Sequence, residues 1–180
     1  MAVSPARTKM IEAASRLFSK QGYRSTTIRG IVDEAGSPWG SVRHYWPGGK
    51  EQLGAAAIEF GDQCVRGAIT SCIDNAATAS EAVTRYLTLA GKVLEDSGWE
   101  TGCPVTTVAL EVASDATAVT EACAAAFAGW RALWAGAFHA AGVPVERSEE
   151  LATSVVGGIS GALILSRVSR TTDPMRLAAE

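Results

Sequence analysis

Thr26-Thr27-Ile28-Arg29-Gly30-Ile31-Val32-Asp33-Glu34-Ala35-Gly36-Ser37-Pro38-Trp39-Gly40-Ser41-Val42-Arg43-His44-Tyr45-Trp46-Pro47-Gly48-Gly49-Lys50 is the stretch on which the fold turns. The threonines offer an N-cap hydroxyl, and Ile28, Ile31, Val32 and Ala35 recur at helical spacing, so a short helix follows Thr27. Gly36 breaks it. Ser37-Pro38 restarts the chain, a cap residue followed by a proline, and predicts a further helix of about two turns to roughly Tyr45, with Val42 and Trp46 facing inward. Pro47-Gly48-Gly49 ends the unit. A helix, a Gly-containing turn and a second short helix make a helix-turn-helix, whose second helix enters the major groove of DNA.

The same stretch exposes unusual chemistry. From Pro38 to Tyr45 only Val42 is needed for a core, which leaves Trp39, Arg43, His44 and Tyr45 as large, polar-tipped groups on a short surface element. Such groups suit phosphate and base-edge contacts, although Trp39 and Tyr45 would also serve as core aromatics. Lys50 opens the next helix, where the macrodipole disfavours a cation by roughly 0.3–1 kcal/mol. A phosphate beside it reverses that sign, because free N–H groups at a helix start and a lysine both attract an anion. A lysine solvated beside Glu51 is the plainer alternative.

Charge follows the same division. Residues 1–53 hold eight Lys or Arg against four acids, a net +4, whereas the remainder holds eight against 15, a net −7, within an overall −3. A polyanion is drawn to one end only. At 180 residues and 47% hydrophobic content the chain can bury a core in one large domain or two small ones. The four cysteines, Cys64, Cys72, Cys103 and Cys123, contain no C-x-x-C pair and have two histidines for company, which argues against zinc and for small core residues. No metal or other cofactor is expected. The longest apolar runs, Ala122 to Trp130 and Ala132 to Phe138, fall short of the roughly 20 residues of a membrane span, and the N-terminus lacks the apolar stretch of a signal peptide. A cytoplasmic protein with no membrane partner is the expectation.

Outward from the motif, every segment has helical periodicity, and an all-α fold follows. A first helix starts at Ser4-Pro5, a cap residue followed by a proline at the first helical position, with the stripe Met10, Ile11, Ala14, Leu17 and Phe18, and stops near Gly22. A long helix runs from about Lys50 to Asn75. One opened by Ser80 carries Val83, Tyr86, Leu87, Ala90, Val93 and Leu94 on one face, and a shorter one opens at Pro104. The last two cover about Asp115 to Ala141 and about Glu146 to Ser169. Domains are expected at 1–49 and 50–180.

The final pair is rich in small residues. Gly157, Gly158 and Gly161 sit mid-helix beside Ser154 and Ser160, and each helical glycine costs roughly 1 kcal/mol against alanine. Close approach of another helix would offset that cost. The helix before it is apolar nearly all round, and a chain this size has too few other helices to cover both, so a two-fold homodimer is expected.

Thr26-Thr27-Ile28-Arg29-Gly30-Ile31-Val32, Ala35-Gly36-Ser37 and Gly40-Ser41-Val42-Arg43-His44-Tyr45-Trp46-Pro47-Gly48-Gly49-Lys50-Glu51-Gln52-Leu53 together resemble the N-terminal domain of TetR-family regulators, over about residues 7–55. Pro47-Gly48-Gly49-Lys50-Glu51-Gln52-Leu53, with Gly102-Cys103-Pro104-Val105 and Ala109-Leu110-Glu111, is similar to that family's lincomycin-resistance-repressor (LmrA/YxaF-like) branch. The resemblance implies a homodimeric repressor that binds a pseudo-palindromic double-stranded DNA operator and releases it on binding a small apolar or aromatic effector. It places Thr27, Ser37, Trp39, Ser41, Arg43, His44, Tyr45 and Lys50 where such proteins touch DNA. Two positions depart from the family pattern: Arg43 stands where a phosphate-contacting tyrosine is common, and Trp39 where a basic residue is. For the effector it points to Phe60, Cys64, Trp99, Cys103, Val108, Phe127, Trp130, Trp134, Phe138 and His139, a set that would equally form an ordinary core.

An enzyme is not expected. Cys103 and His139 would have to act as nucleophile and base, yet no orienting acid or oxyanion loop accompanies them. A helical ligand or redox sensor without DNA binding is the other alternative, and salt-dependent binding to duplex DNA separates it from a regulator.

Overall fold

In the computed structural model, which describes residues 4–112 and 116–180, all regular structure is helical. The elements are α1 (Pro5–Gln21), α2 (Ile28–Glu34), α3 (Ser41–Tyr45), α4 (Gly49–Asp74), α5 (Ala79–Asp96), α6 (Pro104–Ala109), α7 (Thr117–Ala140), α8 (Val145–Ser169) and α9 (Asp173–Leu177). Two compact units form: residues 1–63 with 103–126, and residues 64–102 with 127–180. The expected start of α7 at Asp115 lies outside the described residues.

In the first unit the core is made by Met10, Phe18, Ile31, Val32, Trp46, Leu53, Ile58, Val105, Val108 and Val119, all buried. Each such side chain stabilises by roughly 1.5–3 kcal/mol relative to exposure. Of the stripe expected on α1, Met10, Ala14 and Phe18 are buried, while Ile11 and Leu17 are only half-buried; Ala13, Ser15 and Ser19 complete the inner face. On α4, glycines two turns apart let neighbours come close. A Cβ at Gly54 would lie 2.8 Å from the Tyr23 ring and 3.1 Å from Val119, and one at Gly61 would lie 2.7 Å from Pro104.

Helix α2 begins as its sequence requires, with the Thr27 hydroxyl accepting the Gly30 N–H at 3.0 Å. It ends in a Schellman motif: Ser37 N–H donates to the Val32 carbonyl and Gly36 N–H to that of Asp33, with Gly36 at φ +57°. The next helix is shorter than expected. Ser41 and Val42 donate to the carbonyls of Pro38 and Trp39, three residues back, so the first turn after Pro38 is wound tightly and α-helix proper begins at Ser41. Val42 is half-buried and the inward anchor is Trp46.

In the second unit Leu87, Ala162 and Met175 form a buried cluster with Val83, Ala90, Ile159, Leu163 and Ala179 packed on it. Met175 belongs to α9, a five-residue helix too short to leave a periodic signal. The start of α5 is set by Thr78 rather than Ser80: its hydroxyl accepts the Glu81 N–H, while the Glu81 carboxylate accepts the N–H of Ala77, one residue before the cap. Val93, expected on the inner face, is 57% exposed because Gly91 and Leu94 take the buried positions. Helix α8 is long and apolar enough, by length and composition alone, to cross a bilayer, and 22% of its most apolar window is buried.

Two cysteine expectations hold and two change. Cys72 and Cys123 are buried, Cys103 is intermediate and Cys64 is exposed. Burial pushes the Cys123 thiol up to about 11 and raises those of Cys103 and Cys72 as well.

Candidate nucleic-acid interface

The expected DNA-facing residues fall on a contiguous stretch from the cap of α2 to the start of α4. Trp39 is 61% exposed, and Arg43 and His44 are exposed on α3. The His44 ring meets the Tyr45 ring edge-on, with centroids 4.7 Å apart. Ser41 donates its hydroxyl to the Pro38 carbonyl, and the Ser37 hydroxyl lies 3.5 Å from the Ala35 carbonyl, so both brace the turn between the helices. The Thr27 hydroxyl is occupied as a cap.

Tyr45 is half-buried, and its position is set from the far end of α1: its hydroxyl pairs with that of Ser4 at 2.8 Å. Ser4 was expected to cap α1 with that hydroxyl. Its side chain makes no cap bond there, although its carbonyl accepts the Thr8 N–H as the first bond of the helix. Behind α3, the buried Trp46 indole donates to the Met10 sulfur at 3.3 Å while the Arg7 guanidinium stacks on its ring, 4.6 Å from the centroid. The short helix is thus anchored to α1 through Ser4–Tyr45 and Met10–Trp46.

Lys50 stands near the start of α4, as its sequence position requires. Its ammonium lies over the Tyr23 ring at 4.2 Å from the centroid. Partial burial lowers the lysine pKa, and the nearby Glu111 carboxylate pushes it back up. Tyr23 is raised, first by burial and then by the charge of Glu51. The Gly48 N–H before the helix is satisfied by the Gln52 side chain at 3.0 Å. An open groove of about 420 Å³ lies beside this helix start, lined among others by Arg7, Trp46, Gln52 and Glu59.

Tyr23, Ser4, Arg7 and Glu111 were missed by sequence reasoning. Glu111 accepts the Arg24 N–H across 87 residues of chain, and no local periodicity can announce such a contact.

The residues expected around an effector are divided between the two units. Phe60, Cys103 and Val108 belong to the first, with Val108 fully buried; Cys64, Trp99, Phe127, Trp130, Trp134, Phe138 and His139 belong to the second. There Phe127 meets Trp130 edge-on at 5.0 Å, and Tyr86 meets the fully buried Trp134 at 6.0 Å. Trp99 holds a positive φ of 67° just after Gly98, in the turn that closes α5. His139, expected inside the protein, is exposed and its Nδ1 lies 3.1 Å from the Val143 carbonyl at the end of α7. Cys64 is likewise on the surface. Among the described residues no group of His, Cys, Asp and Glu is arranged to hold a metal ion.

Comparison with known proteins agrees with this geometry. Residues 10–57 match the family model of bacterial regulatory proteins, tetR family, and residues 79–180 match that of the transcriptional regulator LmrA/YxaF-like C-terminal domain. The chain is 30% identical to the HTH-type transcriptional regulator YxaF of Bacillus subtilis over 97% of its own length and 91% of that protein. It is 29% identical to the HTH-type transcriptional regulator LmrA of the same organism, over 97% and 93%. In fold it is similar to a TetR transcriptional regulator from Legionella pneumophila, with a TM-score of 0.86 at 19% identity over 99% and 96% of the two chains. It is also similar to a cysteine-substituted CifR solved with 26-base-pair operator DNA, with a TM-score of 0.83 at 18% identity over 99% and 94%. A two-helix reader anchored on α1, joined in one chain to a matching C-terminal domain, places this protein in the TetR family of helix-turn-helix transcriptional regulators, in its LmrA/YxaF-like branch.

Proposed function

We propose that the protein is a dimeric, effector-responsive repressor working in the cytoplasm, with residues 1–49 reading double-stranded operator DNA and residues 50–180 pairing the chains and sensing a small molecule. The observation that carries the proposal is the exposure of Trp39, Arg43 and His44 on a helix whose other side is anchored through Tyr45 and Trp46. Large side chains that gain nothing from the core, held on a fixed platform, suit a partner outside the chain. Thr27, Ser37 and Ser41 shape that platform, and Lys50 adds a cation for a phosphate. That a protein of similar fold, CifR, was solved with operator DNA supports double-stranded DNA as the partner.

Pairing is supported by α8. Ile164, Leu165 and Val168 are 43, 62 and 81% exposed, and a Cβ at Gly157, Gly158 or Gly161 would meet nothing within 4 Å among the described residues. A second copy of the helix would cover that face and offset the cost of the glycines. Two readers then meet major grooves about one helical turn, or a multiple, apart on a pseudo-palindrome.

For the effector, the aromatic set Phe127, Trp130 and Trp134 of the second unit favours an apolar or aromatic molecule, with Trp99 and Phe138 of the same unit as further candidate contacts. The buried Trp134 indole N–H has no acceptor among the described residues, so an effector carrying one would satisfy it. By preferring one arrangement of the pair, the effector lowers DNA affinity through a coupling of typically 1–3 kcal/mol.

The test is a mobility shift with DNA flanking the protein's own gene, repeated over a salt series and with candidate aromatic compounds while Trp emission is recorded. Binding that weakens steeply with salt and is reversed by an effector is expected. A paired protein that ignores duplex DNA in dilute buffer would overturn the proposal.

A further inference from the structure

Glu111 lies in the turn that follows α6, yet its carboxylate is spent on the turn between α1 and α2. Its Oε2 accepts the Arg24 N–H at 2.7 Å. A Cβ at Gly22 would collide with the same carboxylate, so a glycine with φ +79° is what leaves room for it. Beyond that turn Thr26 is buried, donates to the Gly22 carbonyl at 2.7 Å and accepts from the Gln21 amide at 3.2 Å; the next residue is the cap of α2. Whatever fixes Arg24 and Gly22 therefore fixes where α2 begins.

A second carboxylate works in the opposite direction. Glu51, in the first turn of α4, accepts the Ala118 N–H at the start of α7 at 2.9 Å. The two ends of the α6–α7 connection thus each take part in a carboxylate bond to a backbone N–H, one reaching the α1–α2 turn of the reader and the other coming from the first turn of α4 just after it. Charge-assisted bonds of this kind are about twice as strong as neutral ones. Glu111 also acts on Lys50, whose ammonium it favours against the effect of burial.

We infer that Glu111 is a positioning residue for DNA binding: by gripping the Gly22–Arg24 turn it sets the register of α2 and of the reading helix behind it, and so ties reader geometry to the α6–α7 connection. This rests on the DNA-binding reading above. A carboxylate that merely sat near the reader would repel a polyanion, and its removal would strengthen binding. A positioning carboxylate gives the opposite sign when its reach is shortened.

Two substitutions separate contact from charge. Glu111→Gln keeps an oxygen that can accept the Arg24 N–H but removes the charge; Glu111→Asp keeps the charge but withdraws it by one methylene. The probe is a duplex selected from a random pool by the unaltered full-length protein, and affinity is read by fluorescence anisotropy where circular dichroism shows each variant fully helical. Glu111→Asp is expected to weaken binding about tenfold, the scale of one charge-assisted bond, while Glu111→Gln stays within about threefold. Equal affinities for all three proteins, tighter binding by Glu111→Gln with Glu111→Asp unchanged, or a Glu111→Asp chain that does not fold would each overturn the inference. A wild-type protein that selects no duplex defeats the DNA-binding reading itself, before any variant is compared.

Discussion

The ammonium of Lys50 sits 4.2 Å from the centre of the Tyr23 ring, so the cation at the start of α4 is held over an aromatic face. Tyr23 lies in the turn between α1 and α2, and Lys50 follows the reading helix; the pair closes the reader on itself. Fixing a lysine beforehand reduces the side-chain entropy lost when it meets a phosphate.

Lys50→Ala should therefore weaken every duplex by a similar factor and reduce the slope of log affinity against log salt by about one. Tyr23→Phe keeps the ring and should leave binding close to wild type, whereas Tyr23→Leu should lose part of what Lys50→Ala loses. Anisotropy titrations over a salt series decide between them. A sequence-selective loss in Lys50→Ala would show that the lysine reads bases instead.

The Ser4–Tyr45 hydroxyl pair predicts a small, shared stability term. Ser4→Ala and Tyr45→Phe should each cost about 0.5–1.5 kcal/mol in urea unfolding, and the double variant little more than either alone. Additive losses would mean that the hydroxyls act separately.

Glycines on α8 give opposite expectations for a lone chain and a pair. With nothing within 4 Å of a Cβ at Gly157 among the described residues, Gly157→Ala should stabilise a monomer by about 1 kcal/mol through helix propensity. If a second α8 approaches there, the same change, and still more Gly157→Leu, weakens association. Sedimentation velocity over a concentration series reads the outcome, and Val168→Glu should likewise yield monomers.

Cysteine reactivity follows burial. Cys64 is exposed and should be alkylated first in the native protein, while Cys123, with its thiol pushed to about 11, should resist until unfolding. Mass spectrometry after timed alkylation at mildly alkaline pH checks the order. The sign for stability also follows: between the ordinary thiol value of 9.0 and about 11 the unfolded chain releases the Cys123 proton and the folded chain keeps it. That contribution is present below 9.0 and is lost as pH rises through the window.

Local signals carried much of the reader. The Thr27 cap, the break at Gly36 and the start of α4 at Gly49 are short-range events, each governed by a hydroxyl, a positive φ or a helix end, and each was legible in neighbouring residues. Where a short-range reading failed, an equally plausible partner lay nearby or far away. Ser80 lost the α5 cap to Thr78, whose hydroxyl takes the Glu81 N–H while Glu81 takes that of Ala77, and Ser4 left its own helix end for Tyr45. The candidate effector contacts were the least legible, because apolar side chains that line a cavity and those that fill a core have the same composition and spacing.

By itself the sequence determined that the chain is helical, where its basic end lies and which turn separates the two reader helices, since helical period, charge and glycine conformation act within a few residues. Only tertiary structure decided that Lys50 rests on Tyr23, that Trp46 bonds Met10, and that Glu111 grips the turn at Arg24. Those contacts join residues 27, 36 and 87 positions apart, and a side chain finds such a partner only once the intervening helices have packed.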